Sequence, residues 1–338
     1  MDITILGIES SCDDTSAAVI RDRTLLSNVI ASQAVHQKYG GVIPELASRA
    51  HQQNIVPVVD TALKEAGVTI DKIDAIAFTR GPGLLGSLLV GVSFAKGLSI
   101  SHDIPLVEVN HLQGHILSHF LDLPDRQLPH PDFPFLCLLV SGGHTQIVKV
   151  DGPLDMQIVG TTIDDAAGEA FDKVAKALGL GYPGGPIISK LAETGNPRAI
   201  DFPRALNSRG DYRFSLSGLK TAVTLYIEQE TKAGRTIHLP DLAASFEAAV
   251  FDVQYKKAKN ALHATGCKEY CIGGGVSANP HLREMMIKKL GRQGIRVTVP
   301  PLSACTDNAA MIAEVARRKF DRGEISPFDV DADPNMTL

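Results

Sequence analysis

Leu6-Gly-Ile-Glu-Ser-Ser-Cys-Asp-Asp-Thr15 decides the fold, because the chain writes its pattern twice. An apolar strand from Ile3 to Ile8 runs into a turn of acids and hydroxyls, and return strands follow at 16–20 and around 25–32. Leu138-Leu-Val-Ser-Gly-Gly-His-Thr145 repeats the form, with a strand at 135–140, a turn, and return strands at 146–150 and 156–161. Working outward, Ile76-Ala-Phe-Thr-Arg-Gly-Pro-Gly83 is answered by Cys271-Ile-Gly-Gly-Gly-Val-Ser277. Each is a buried strand ending in a glycine turn that opens a helix. The strand Leu106–Val109 is answered by Val297–Val299. Each half therefore reads as a three-strand ladder, helices, strand, glycine turn, helix, strand, helix. That order predicts a duplicated α/β fold of two lobes around a central cleft. The lobes are expected at 1–115 plus 310–338 and at 116–309.

Composition narrows the class. A chain of 338 residues with 44% hydrophobic content, 5% aromatics and no Trp fits an α/β protein with an aliphatic core. A formal net charge of -5 does not advertise a nucleic-acid protein. A polynucleotide substrate would need a local basic patch or a partner; Arg204, Arg209, Arg213 and Lys220, or Arg317, Arg318 and Lys319, are the candidates. The five cysteines are scattered and form no CxxC, so neither a zinc ribbon nor a redox pair is indicated, and reduced cytoplasmic thiols are expected. The N-terminus has no basic signal-peptide region. The most apolar window, 84–100, is broken by Lys96 and is too mixed to span a bilayer. Its small residues suit a buried helix or a subunit interface. Residues 44–67 have a helical period, and helices are also expected at 163–179, 186–194, 240–264 and 309–320, while 196–236 reads as mixed.

The chemistry starts from His111-Leu-Gln-Gly-His115. Histidines four apart share a helix face and can reach one metal ion, although the spacing alone equally suits two polar residues on a helix. The repeat places the helix opened by Asp307 opposite theirs, so His111, His115 and Asp307 should converge between the lobes. Two histidines and a carboxylate with open positions suit Fe(2+), with zinc as the alternative. A zinc protease needs Glu after the first His; Leu112 stands there, which argues against that class. Ser141-Gly142-Gly143-His144-Thr145 is either an ordinary hairpin turn or a turn whose N–H groups meet a phosphate. Gly273-Gly-Gly-Val-Ser-Ala-Asn279 offers a flat surface to a purine, with Asn279 at its edge, or is a plain strand-to-helix turn. Asp172 could hold a ribose. Asp13 and Asp14 form a turn or, for Asp13, supply a general base or organise water.

Beyond these readings, Gly7–Thr15, Gly40-Gly-Val-Ile-Pro-Glu-Leu-Ala-Ser-Arg49, Gly81-Pro-Gly-Leu-Leu-Gly86, His111–His115, Leu139–Gln146, Asp164-Asp-Ala-Ala-Gly-Glu-Ala-Phe-Asp-Lys173, Tyr182-Pro-Gly-Gly-Pro186, Phe214–Thr221, Gly274–Asn279 and Cys305-Thr-Asp-Asn308 together resemble the bacterial TsaD family, in order over 4–320. The resemblance implies the ASKHA fold of actin, sugar kinases and Hsp70. It implies transfer of a threonylcarbamoyl group from threonylcarbamoyl-AMP to N6 of the adenosine 3′ of the anticodon, in tRNAs reading ANN codons. It places metal ligands on His111, His115 and Asp307. It places the adenylate on Leu139, Val140, Ser141, Gly142, Gly143, Asp172, Gly185 and Asn279. It implies a smaller TsaB-like paralogue on the first lobe, for which helices 45–66 and 84–100 are the expected surface, and a TsaE-like ATPase, with no membrane. Many members carry Asp-Glu where this chain has Asp13-Asp14. A small-molecule kinase or ATPase on the same fold is the rival reading, but it has no need of the His-His-Asp set.

Overall fold

Strand Thr4–Glu9 (β1) is buried along its whole length, as a strand covered on both faces must be. It is central in a five-stranded sheet with Thr15–Arg21 (β2), Thr24–Ala31 (β3), Ala75–Gly81 (β4) and Leu106–Asn110 (β5), in the order β3-β2-β1-β4-β5. The ladder strands pair antiparallel, while β1, β4 and β5 run parallel. The second sheet contains Phe135–Val140 (β6), Thr145–Gly152 (β7), Asp155–Thr161 (β8), Glu269–Gly273 (β9) and Arg296–Thr298 (β10). Its order, β10-β9-β6-β7-β8, is the first sheet's order read strand for strand, with the same directions. The duplication expected from the two ladders is therefore present. This computed structural model describes every residue except Met1, Ala34, Val35, Gln37, Lys38, Asn207 and Arg209.

Residues 1–131 with 300–338 form one unit and 132–299 the other. In the first, Pro44–Ala66 (α1) starts on a proline at its first position and stops at Gly67, whose φ of 62° is left-handed. Helix Leu85–His102 (α2) packs on α1 and β4. His111–Leu117 (α3) follows β5 directly. The second unit carries Ala167–Ala177 (α4), Gly184–Ala192 (α5), Ser217–Lys232 (α6), Leu239–Thr265 (α7) and Pro280–Gly291 (α8) around a core that includes Leu138, Phe171, Phe246 and Tyr270.

Three expectations change. Helix Ala309–Phe320 (α9) follows β10 as the repeat demands, but packs on β1, β2, β4, β5 and α3 of the first unit. The units consequently divide at 131/132 and 299/300 rather than at 115/116 and 309/310. Residues past 115 stay with the first sheet because the Asp122 carbonyl accepts the Leu25 N–H and the Asp122 N–H donates to Arg23. Residues before 309 join it through Asn28 Nδ2, which donates to the Ser303 carbonyl. Second, α4 begins at Ala167, after a loop at 163–166, and third, the mixed segment 196–236 contains α6.

All five cysteines are free thiols. Burial pushes the Cys137 thiol up to about 12, which keeps it protonated and unreactive. Among the described residues, no helix is long and apolar enough to cross a membrane.

Candidate functional site

The parallel strands β1, β4 and β5 end together, and their carboxyl ends carry the chemistry of the first unit. Asn110, the last residue of β5, caps α3: its Oδ1 accepts the N–H groups of Leu112 at 2.8 Å and Gln113 at 3.4 Å. One turn of that helix brings the His111 and His115 rings to a centroid separation of 4.7 Å, edge to face. Asp307 precedes α9, whose start is fixed by Asn308 Oδ1 accepting the Met311 N–H at 3.0 Å. Asp307 Oδ1 lies 3.1 Å from His115 Nε2 and 3.5 Å from His111 Nε2. One donor atom from each residue falls within 4.8 Å of the others. The three residues therefore converge within the first unit, which corrects the expectation of a set shared between lobes. The cause is the return of α9.

Glu9 stands behind His111, fully buried. Its Oε2 lies 3.0 Å from His111 Nδ1 and accepts the Thr79 hydroxyl at 2.6 Å, and its Oε1 accepts the Ser11 N–H at 2.5 Å. A carboxylate on Nδ1 fixes the ring's orientation and aims Nε2 at Asp307. Neither Glu9 nor Thr79 was assigned a role from sequence. The available signal was an acid closing an otherwise apolar strand. Among the described residues Nδ1 of His115 is buried without a partner, while Nε2 faces the Asp307 carboxylate at 3.1 Å. A cation held between Nε2 and that carboxylate would satisfy both groups. Two imidazoles and a carboxylate, one imidazole braced by a second carboxylate, suit a divalent transition metal. Burial opposes charge on His111, but Glu9 and Asp307 outweigh it and hold the ring's pKa well above the usual histidine value. Burial likewise opposes the Asp307 carboxylate, yet His111 and His115 hold its pKa well below the carboxylate range. Burial lowers His115. Glu9 and Asp307 thus favour positive charge at His111, and burial opposes it at His115. Asp13 lies half-buried in the turn between β1 and β2, and burial pushes its neighbour Asp14 up to about 6, partly offset by a hydrogen bond with Ser32.

The expected adenylate residues lie in the second unit on elements joined in a closed circuit. Leu139 and Val140 are buried in β6, so only their backbone can meet a ligand. Ser141 to His144 form the turn, with open space over Gly142 and Gly143. The start of α4 lies against this turn: the Gly168 N–H donates to the Ser141 carbonyl at 3.1 Å, and a Cβ at 168 would be 2.8 Å from Gly142 Cα. Asp172 on α4 accepts the Gly184 N–H at 2.7 Å, and the neighbouring Gly185 has open space above it. Asn279 Nδ2 donates to Ser189 Oγ of α5 at 3.2 Å. Gly274, at φ 87°, closes the circuit, since a Cβ there would be 2.4 Å from the Val140 carbonyl.

The basic patches fare differently. Arg204 pairs with Asp252, Arg213 with Asp211, Lys220 with Asp165, and Arg317 and Arg318 with Glu314. Lys319 Nζ donates to the Glu108 carbonyl, and Arg209 lies outside the described residues. These charges are largely spent inside the protein.

Fold and site together define an ASKHA-type protein that carries a His-His-Asp constellation at the strand ends of its first unit. The fold is similar to that of about half of full-length HypF in its phosphate- and nucleotide-bound form (TM-score 0.61, 15% identity, 96% of this chain and 47% of that one). It is also similar to that of the activator of the 2-hydroxyisocaproyl-CoA dehydratase from Clostridium difficile with bound ADPNP (TM-score 0.52, 13% identity, 97% and 99%). The family model TsaD, tRNA N6-adenosine threonylcarbamoyltransferase, matches residues 24–314. A Porphyromonas gingivalis protein of that name is 57% identical over 332 residues, 97% of this chain and 96% of its own. The chain belongs to the TsaD family.

Proposed function

We infer that this chain transfers a threonylcarbamoyl group to N6 of an adenosine in tRNA, with threonylcarbamoyl-AMP as donor and the adenosine 3′ of the anticodon, in tRNAs reading ANN codons, as acceptor. The observation that carries this reading is the 57% identity, over 97% of the chain, to a relative named for the activity. The residues supply parts that suit it. His111, His115 and Asp307 would hold one divalent cation, Fe(2+) before zinc on the donor set, which would supply Lewis-acid polarisation of a carbonyl or phosphoryl oxygen. The turn at Gly142 and Gly143, with open space on the Cβ side of both, suits an adenylate phosphate approaching their backbone. Asp172 and Asn279 suit ribose and purine. Asp13 is the candidate base or water organiser for the weakly nucleophilic amine.

A TsaB-like paralogue would dock on the pair α1 and α2, which exposes Val56, Leu85, Leu89 and Ile100. A TsaE-like ATPase would complete the set, in the cytoplasm. The test is nucleoside mass spectrometry of unmodified tRNA incubated with preformed threonylcarbamoyl-AMP, this chain, the paralogue, and the ATPase with ATP. Threonylcarbamoyladenosine should form and should disappear with His111→Ala. Its absence with all components present sinks the reading. An Asp13→Ala enzyme that kept full transfer would remove that residue from the chemistry.

A further inference from the structure

Glu247 on α7 is only 3% exposed, and among the described residues its ion-pair partner is His281, not a lysine or arginine. Its Oε1 accepts from Asn279 Nδ2 at 2.6 Å, and its Oε2 lies 2.5 Å from His281 Nδ1. A buried carboxylate is expensive, and an apolar residue would fill the same space at lower cost. Its two oxygens are instead aimed at the two polar side chains flanking the first residue of α8.

The consequence falls on Asn279. A carboxamide has two ends of almost equal shape, one donor and one acceptor, and only its neighbours decide which faces where. Here Oδ1 accepts the Leu282 N–H at 3.0 Å as the cap of α8. Nδ2 uses its two hydrogens on Glu247 at 2.6 Å and on Ser189 Oγ at 3.2 Å. A flipped amide would set an oxygen against the Glu247 carboxylate and an NH2 against a helix N–H. The donors are thus spent, and the second lone pair of Oδ1 remains. Asn279 can offer a ligand an acceptor and nothing else.

We propose that Glu247 is a positioning residue that locks the Asn279 amide in its acceptor-only orientation, so that the nucleotide site prefers an amino purine to an oxo purine. This rests on the reading of Asn279 as a nucleotide residue. It adds a selectivity rule and the side chain that enforces it: the exocyclic amine of adenine donates to Oδ1, whereas the carbonyl of hypoxanthine would face it lone pair to lone pair.

The test measures AMP and IMP affinities by calorimetry on the full chain. The wild type should prefer AMP by about tenfold or more, the worth of one polar match against a mismatch. Glu247→Ala should bring the ratio to within about threefold, because only the Leu282 N–H then opposes the flip and the amide can turn its NH2 to IMP at the cost of that one cap hydrogen bond. Glu247→Gln, whose carbonyl can still accept from Asn279, should keep the preference. Asn279→Ala should flatten the ratio, and Glu247→Ala added to it should cost nothing more. If Asn279→Ala flattens the ratio and Glu247→Ala leaves it at the wild-type value, the proposal fails alone. If Asn279→Ala changes nothing, or AMP does not bind, the nucleotide reading fails and the proposal with it. Should the Ala variant not fold, Glu247→Leu fills the same buried volume and carries the same expectation.

Discussion

His115 shows how much a single side chain can carry. It is fully buried, its Nδ1 has no hydrogen-bond partner among the described residues, and its Nε2 lies 3.1 Å from the Asp307 carboxylate. Removing it should cost the metal while sparing the fold. Metal analysis after dialysis against Fe(2+) or Zn(2+) should find His115→Ala empty, and Glu9→Gln weakened about 10–100-fold, the usual cost of losing a partner behind a ligand. Stoichiometric metal in His115→Ala would overturn the ligand set. Asp14 is a contrasting case. Burial raises its pKa from 3.8 to about 6, so the folded state prefers its neutral form. That stabilisation is complete below about pH 4 and is lost as pH rises through 6. Asp14→Asn should therefore stabilise the protein at pH 7.5 by about 1–3 kcal/mol and change little at pH 4, as read by denaturant melts at the two values. The convergence of His111, His115 and Asp307 was legible in sequence because histidine spacing and the internal repeat point at the same three residues. Glu9 was not, because an acid beside Ser10 and Ser11 reads as part of a turn until the strand register places it under His111.

Among the elements, α6 was hidden and α4 was overextended for one shared reason. Asp164 looks like the first turn of the α4 helix in sequence. In the fold it leaves that helix and caps α6, accepting from Ser215 Oγ at 2.5 Å, the Leu216 N–H at 2.8 Å and Ser217 Oγ at 2.8 Å. Helix α6 buries only Leu219 and Val223, so its apolar period is too sparse to stand out. Burial alone would raise the Asp164 pKa, but these hydrogen bonds outweigh it and hold the group below its usual value. The cap's contribution is therefore present above about pH 4 and is lost as pH falls through the lower folded value. Asp164→Ala should cost about 1–3 kcal/mol at pH 7 and little under strongly acid conditions, with hydrogen exchange accelerated first in α6. Equal protection of α6 in mutant and wild type would contradict the capping role.

At the scale of the molecule, the duplication was legible because each ladder is announced by its own apolar run and turn. The departure from it was not. Helix α9 occupies the last position of the second repeat, yet its small buried face, Ala309, Ala310 and Ala313, lies on the first sheet. A Cβ at Gly7 would be 2.3 Å from the Ala309 carbonyl, so strand and helix approach as closely as backbones can. No local pattern in a sequence announces which sheet a helix chooses. The same unit also carries its apolar surface on the outside. Leu89 and Ile100 are eleven positions apart on α2, about 20° in rotation and hence one face, with Leu85 a turn earlier. They are 41% and 65% exposed, and Val56 is exposed on the neighbouring α1. Apolar side chains aligned this way on paired helices suit a partner that presents helices in return. A double substitution, Leu89→Glu with Ile100→Glu, changes no ligand of the metal set and should leave metal content intact. It should weaken binding of the paralogue about tenfold or more, because charge would enter the desolvated centre of the interface. Co-elution unchanged from wild type on size-exclusion chromatography would place the paralogue on another face.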